Sequence, residues 1–376
     1  MKVLIAGDYA PIGKVGKLFE QGHYENLAPV KDLTGQADYA IVNLESPVAN
    51  NSDSPIDKFG PALKCNAAGV KALAWAGFDC AALANNHFRD YGEKGVKNTL
   101  NALNESRIDI VGGGRNLEEA SKVLYKQVGE AKLAVINCCE SEFSIATSCS
   151  GGSNQLNAIT LYYDIKEAHK RADYVLVIVH GGHEGYQLPS PRMQQTYRFF
   201  VDAGADAVVN SHQHCYSGYE IYQGKPIFYG LGNFLFETIF ASSQEKWYEG
   251  YMVMIDFETG SEQFKIYPYR QRFAGKTIQM LPQDACSEKI ESLNKIIADK
   301  SKLENAFEEL CGERSKSTLA DAVAPYGGRY FLAAAKRNLL PLFISRKRLL
   351  RVGNIIRCES HRDLLLAAIN SYLKIN

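Results

Sequence analysis

A chain of 376 residues, 46% hydrophobic and 22% charged, has room for one large folded domain with a smaller appendage and is too apolar to stay disordered. Its 42 Lys and Arg offset 42 Asp and Glu, which removes any global field favouring nucleic acid or an anionic surface, so recognition has to be local. There is no charged leader and no apolar stretch of about 18 residues, giving the expectation of a cytoplasmic protein without a membrane span. Nine cysteines, an odd number with no Cys-x-x-Cys pair, read as free and mostly buried thiols.

In chain order, a short β-rich run at 3–6 ends in Gly7-Asp8, and a second at 39–42 ends in Asn43-Leu44-Glu45. A helical pattern at 66–77 leads to a run at 80–84 that ends in Asn86-His87, followed by a helix over 92–105 and a three-glycine turn before Arg115. A helix over 164–172 precedes the run 174–179, which ends in His180-Gly181-Gly182-His183-Glu184. The pattern 190–204 is again helical and is followed by 207–210, ending in Ser211-His212-Gln213-His214. Alternation of strand and helix predicts α/β layering. After His214 come closely spaced segments at 219–222, 226–229, 251–257 and 264–269, separated by turn residues; these predict antiparallel strands of a second sheet. From about residue 274 the period is helical, with candidate helices at 285–300, 303–310, 329–340 and 361–373 and a basic stretch at 345–351. The expected domains are therefore 1–273 and a helical extension, 274–376, packed on it.

Parallel strands in an α/β sheet bring their carboxyl ends to one edge, so residues distant in sequence converge there. One His after a strand is ordinarily a structural residue, but five strands ending in ligand-type residues describe one site. The set offers carboxylate oxygen from Asp8 and Glu45, amide oxygen from Asn86 and imidazole nitrogen from His180, His212 and His214. Such a mixture suits manganese, iron or zinc better than magnesium or calcium. His183 and Glu184 share a segment with His180. Were the strand to continue, His183 would face away from His180; the two glycines make a turn equally compatible with the sequence.

The ordered motifs Ala6-Gly7-Asp8, Val42-Asn43-Leu44-Glu45-Ser46-Pro47, Ala84-Asn85-Asn86-His87 with Asp90-Tyr91-Gly92, Val111-Gly112-Gly113-Gly114-Arg115-Asn116, His180-Gly181-Gly182-His183-Glu184, His212-Gln213-His214 and Tyr229-Gly230-Leu231-Gly232-Asn233-Phe234 resemble the CapA family of poly-γ-glutamate and capsule biosynthesis proteins, a branch of the calcineurin-like metallophosphatase superfamily. The resemblance covers roughly residues 1–240. It implies a four-layer α/β/β/α sandwich with a centre for one or two divalent ions. It makes Glu45 the bridging carboxylate, with Asn86, His180 and His212 on one ion and Asp8 and His214 on the other. It places His87 as a non-ligand His that protonates a leaving group or stabilises charge on the substrate, with Asp90 either orienting that ring or capping the next helix.

The superfamily pattern Asp-x-His is broken here, since residue 10 is Ala, so the Asp8 and His214 side is the poorer one. Glu184 and His183 join the catalytic candidates, and Arg115 and Asn233 are expected at the substrate. The implied activity is hydrolysis of a phosphoester or of an amide or γ-glutamyl bond in a small molecule, peptide or polymer precursor. A metal-independent peptide epimerase or a non-catalytic biosynthetic accessory protein is the alternative. The helical extension is the expected dock for a pathway protein.

Overall fold

The computed structural model describes residues 1–237, 245–258, 264–272, 277–322 and 345–373. Two compact units separate, Met1–Ile56 with Ala62–Leu303, and Asp57–Pro61 with the chain from Glu304 onward.

In chain order the strands are β1 Lys2–Ala10, β2 Tyr39–Leu44, β3 Cys80–Ala82, β4 Asp109–Val111, β5 Gly113–Gly114, β6 Leu124–Val128, β7 Ala131–Cys139, β8 Gly152–Ser153, β9 Tyr174–His180, β10 Ala207–Ser211, β11 Tyr219–Tyr222, β12 Lys225–Phe228, β13 Asn233–Phe236, β14 Glu249–Asp256, β15 Phe264–Arg272 and β16 Thr277–Met280. One sheet runs β16-β15-β14-β1-β2-β3-β4, with β13 also paired to β1; the other runs β11-β12-β10-β9-β7-β6; β5 and β8 form a small ribbon. Neighbours among β1 to β4 are parallel, as are those in the β7, β9, β10, β12 series.

Strands buried on both faces read as continuous apolar runs, and the alternation of side chains sorts each run into two cores. Along β9, Leu176 and Ile178 lie in the core between the sheets with Val3, Ile5, Ile41 and Val209. Val175, Val177 and Val179 are buried on the other face, where helices Ala158–Arg171 and Pro191–Ala203 lie against the second sheet. In the first sheet Leu4, Ala6, Ala40 and Val42 pack with Phe19, Val30, Leu73 and Leu103 of the helices Gly13–Glu20, Ala28–Thr34, Ala67–Trp75 and Gly92–Glu105. The layers are α/β/β/α, as the motifs imply. Each fully buried Leu, Ile, Val or Phe contributes about 1.5–3 kcal/mol, so these cores fix the frame on which the site is built.

Helix boundaries follow local chemistry. Asn66 accepts from the Gly69 amide at the start of Ala67–Trp75, and Ser190 accepts from Met193 before Pro191 opens the next helix, which stops at Gly204 with φ of 121°. The strands after His214 do not make a sheet of their own. β12 pairs parallel with β10 and carries β11 as a hairpin, whereas β14, β15 and β16 extend the first sheet antiparallel to β1. The cause is β13, which crosses to pair with β1 and delivers the rest of the chain to that sheet.

Helix Ser287–Ile297 belongs to the larger unit: Ile290 enters the core between the sheets, and Asn294 accepts from the Tyr219 amide. The expected helix at 303–310 is part of a longer one, Lys300–Ala322, because Gly312 does not interrupt it. The basic stretch forms Arg346–Arg357, capped by Ser345, and is followed by Glu359–Leu373; the expected helix at 329–340 lies outside the described residues. All nine cysteines are free, and only Cys149 is exposed. Among the described residues no helix is long and apolar enough to cross a membrane.

Candidate metal centre

The side chain of Asp8 reaches the space between the sheets through an irregularity. Simple alternation from Leu4 and Ala6 would turn it toward the helices, but the β1–β2 register shifts between Ala6 and Asp8, pairing Ala6 with Val42 and Asp8 with Asn43. Gly7 is the extra residue of this bulge. A Cβ there would lie 1.9 Å from the Gly232 carbonyl oxygen, so only glycine allows β1 and the Gly232 turn to approach this closely. Asp8 then accepts from Asn43 Nδ2 at 2.8 Å and from the His212 amide at 3.1 Å.

Glu45 follows β2 directly, its amide donating to the Tyr9 carbonyl at 2.9 Å. Asn86 and His87 lie on a loop fixed by Asn85, which donates to the Leu44 carbonyl at 2.9 Å and accepts from the His87 amide at 3.1 Å. From the second sheet, His180 has the same parity as Leu176 and Ile178 and therefore faces inward at the end of β9. His212 and His214 follow β10 with φ of 96° and 56°. Side chains rarely adopt this left-handed region, at a cost of about 1–3 kcal/mol each. Offsetting bonds include Gln213 Nε2 to the Tyr186 and Leu188 carbonyls at 2.9 and 3.1 Å.

All six expected ligands are buried and collect at one place. On one side His180 Nε2 is 3.0 Å from His212 Nδ1, 3.1 Å from Asn86 Oδ1 and 3.9 Å from Glu45 Oε1. On the other, His214 lies 3.4 Å from Asp8 Oδ2 through Nδ1 and 3.8 Å from Glu45 Oε1 through Nε2. Glu45, His180 and His212 can present ligand atoms to one ion, as can Asp8, Glu45 and His214, and Glu45 is common to both sets. Both oxygens of Glu45 are buried without a hydrogen-bond partner among the described residues. A carboxylate left so is costly unless a cation joins it, and three imidazoles, an amide oxygen and two carboxylates fit divalent transition metals.

The electrostatics agree. Burial, then the charge of Asp8, raises the Glu45 carboxyl well above its ordinary range. Burial would also raise Asp8, but the His214 hydrogen bond, the charges of His180 and His214 and the Asn43 bond outweigh it and hold Asp8 below the carboxylate range. Burial would lower His214; the charge of Glu45, the Asp8 bond and the charges of Glu184 and Asp8 instead push it up to about 10. His180 is driven well below its ordinary value by burial and by the His212 charge. Glu45 and His214 thus compete for a proton in a cluster that attracts positive charge.

Residues 2–238 match the bacterial capsule synthesis protein PGA_cap family. The chain belongs to that family. It is 35% identical over 209 residues to a capsule biosynthesis protein CapA of Bacillus anthracis, covering 54% of this chain and 51% of that one. It is 33% identical over 227 residues to a PGA biosynthesis protein CapA of Bacillus subtilis, covering 59% and 60%. The chain therefore spans about half to three-fifths of these relatives' lengths. Among solved structures it is similar to a putative 5'-nucleotidase from Staphylococcus aureus, with TM-score 0.46, 16% identity and coverage of 78% of this chain and 58% of that one. That likeness leaves the chemistry to be argued from the site.

Around the PGA_cap cluster, His87 Nδ1 is 2.6 Å from Asp90 Oδ2, and the charge of His87 acts on His180. The strand ends at His180 and Gly182 turns the chain with φ of 111°; His183 is buried and Glu184 exposed, its charge acting on both Glu45 and His214. Asn233 is fully buried opposite Asp8. It accepts from His214 Nδ1 at 2.9 Å and donates to the His214 and Trp247 carbonyls at 3.2 and 3.1 Å, so it sets the His214 ring. Arg115 is 75% exposed, paired with Glu119, and lines a surface hollow in which none of the six ligand candidates takes part.

Ala10 sits in an apolar cluster with Leu63 and Phe236, against which Trp247 packs. The His214 ring lies 5.1 Å from Phe236 and 4.7 Å from Trp247. That flank of the centre is therefore aromatic where an Asp-x-His pattern would supply imidazole. Sequence reasoning passed over Asn43, which donates to Asp8 and lies 3.2 Å from His180 Nδ1, although its place at the carboxyl end of β2 was the available signal.

Proposed function

We propose that this chain is a divalent-metal-dependent hydrolase, acting on a phosphoester or on an amide such as a γ-glutamyl bond in the formation of a capsule or related anionic polymer. The observation that carries the reading is Glu45: a fully buried carboxylate, without hydrogen-bond partners among the described residues, shared by two sets of ligand-type side chains. The relatives' names, capsule biosynthesis and PGA biosynthesis, support the pathway.

Glu45, Asn86, His180 and His212 would hold one ion, and Asp8, Glu45 and His214 a second, more weakly. When bound, a divalent cation supplies Lewis acidity, lowering the pKa of a coordinated water and polarising the substrate. The chain's own residues do the rest. Asp90 fixes the His87 ring through Nδ1, and Nε2 is the atom that would deliver a proton to the leaving group. Asn43 and Asn233 hold Asp8, His180 and His214 in ligand orientation. Glu184, exposed beside the cluster, adds negative charge that favours cation binding. In this reading Arg115 is a surface residue and Asn233 a support for His214, which replaces the substrate contacts expected of them.

The test is elemental analysis of chain purified without chelator, beside the double variant Glu45→Ala, His212→Ala. One or two equivalents of manganese, iron or zinc, lost in the variant, are expected, together with metal-dependent turnover of phosphoesters or γ-glutamyl amides. Absence of metal after reconstitution would transfer the conclusion to a metal-independent enzyme or an accessory role, the word used in the name of a 28% identical Mycobacterium tuberculosis relative, a probable polyglutamine synthesis accessory protein that matches 52% of this chain and is covered over 55% of its own length.

A further inference from the structure

Asp90 does more than meet His87. Its Oδ2, besides lying 2.6 Å from His87 Nδ1, accepts from the Leu63 amide at 2.7 Å, and its backbone carbonyl accepts from the Ile56 amide at 2.8 Å. Ile56 and Leu63 are the two ends of one short loop, so one buried aspartate closes that loop and holds the imidazole. Between those ends, Asp57–Pro61 group with the C-terminal helices and not with the sheets. Asp57 forms an ion pair with Arg346, and the guanidinium of Arg351 lies over the Phe59 ring at 4.3 Å. Both arginines belong to the helix Arg346–Arg357, one turn and a little more apart. The link from this helix to Asp90 is the polypeptide itself.

We propose that Asp57 and Phe59 are positioning residues: held by Arg346 and Arg351, they set the loop that closes on Asp90 and so fix the His87 ring. This rests on the reading of His87 as proton donor, but the mechanical part stands or falls without it. A loop whose tip is released samples more conformations, and both bonds to Asp90 open more often. An exposed ion pair and a cation–π contact are each modest, so releasing either one changes the opening equilibrium by about threefold to tenfold. The coupling is one of degree, which suits an element that tunes a site without forming part of it.

The experiment uses the full chain and reads hydrogen exchange at the Ile56 and Leu63 amides and the downfield proton resonance of the His87 Nδ1 to Asp90 bond, assigned by its loss in Asp90→Asn. Phe59→Ala and Arg351→Ala should each speed exchange at both amides by about threefold to tenfold and broaden the His87 resonance, with bound metal unchanged. Arg351→Lys, which keeps a cation over the ring, should restore both signals. Wild-type exchange and an unaltered His87 resonance in both alanine variants would overturn the proposal, and so would failure of lysine to rescue. Should the Arg351 variants fail to fold, Phe59→Leu and Asp57→Asn provide the same comparison. Full activity of His87→Ala would refute the proton-donor reading while leaving the exchange result standing, so the two failures are separable.

Discussion

The two sheets make unlike contributions to one centre. The first delivers oxygen: Asp8 from a bulge in β1, Glu45 after β2 and Asn86 after β3. The second delivers nitrogen: His180 at the end of β9, then His212 and His214 after β10. The oxygen side depends on a glycine that permits close backbone approach, whereas the nitrogen side depends on left-handed backbone at two histidines. Neither sheet carries a complete ligand set. The centre is a property of the seam, and its integrity reports how the sheets are packed as well as which side chains are present.

The sharpest break comes from the nitrogen side. His180→Ala is expected to lose bound metal and with it nearly all turnover, whereas His87→Ala should keep its metal and slow turnover by about 10²–10⁴; metal analysis with kinetics on the same preparations separates a ligand from a proton donor. On the oxygen side, Gly7→Ala forces a Cβ onto the Gly232 carbonyl. Overpacking of this kind costs at least about 2 kcal/mol, and thermal unfolding should show it together with weakened metal binding. Asn233→Ala removes the acceptor that sets His214 and should reduce affinity for the weaker ion by about 10–100-fold, leaving the first ion in place, as a two-step metal titration would reveal.

The smallest expected effect is a matter of pH. The folded pKa of His214 is raised to about 10, so in metal-stripped protein its contribution to stability is full below its unfolded value and fades as pH rises through about 10. Asp8 has the opposite sign: its folded pKa is depressed, so its contribution is present above the ordinary carboxylate value and is lost as pH falls below it. Metal binding to His214 must displace that proton. Affinity should therefore rise with pH toward about 10, with proton release visible as a dependence of calorimetric heat on the buffer. A pH-independent affinity would remove His214 from the ligand set.

The cluster was largely open to sequence reading because parallel topology brings strand-end residues to one edge. Asp8, Glu45, Asn86, His180, His212 and His214 could be found by looking where apolar runs stop. How they divide about Glu45 came from the family resemblance. The bulge at Gly7 was not accessible, since a shift in register is a relation between two strands and leaves no mark on one. Nor was the role of Asn233, which depends on β13 crossing to lie beside β1. Arg115 misled because a glycine-rich turn before an arginine looks the same whether it opens on a site or on solvent. The helix expected at 303–310 is longer, Lys300–Ala322, and runs through Gly312.

Trp247 lies against the His214 ring at 4.7 Å, and the chain has one other tryptophan, Trp75, on the helix Ala67–Trp75 beneath the Lys31 ammonium. An indole in that place is a natural optical probe. Manganese or iron, with unpaired electrons, held by His214 would quench its emission, while zinc would leave most of it intact. The aromatic flank beside His214 thus makes that half of the centre the one whose filling can be followed by light, without label or substrate.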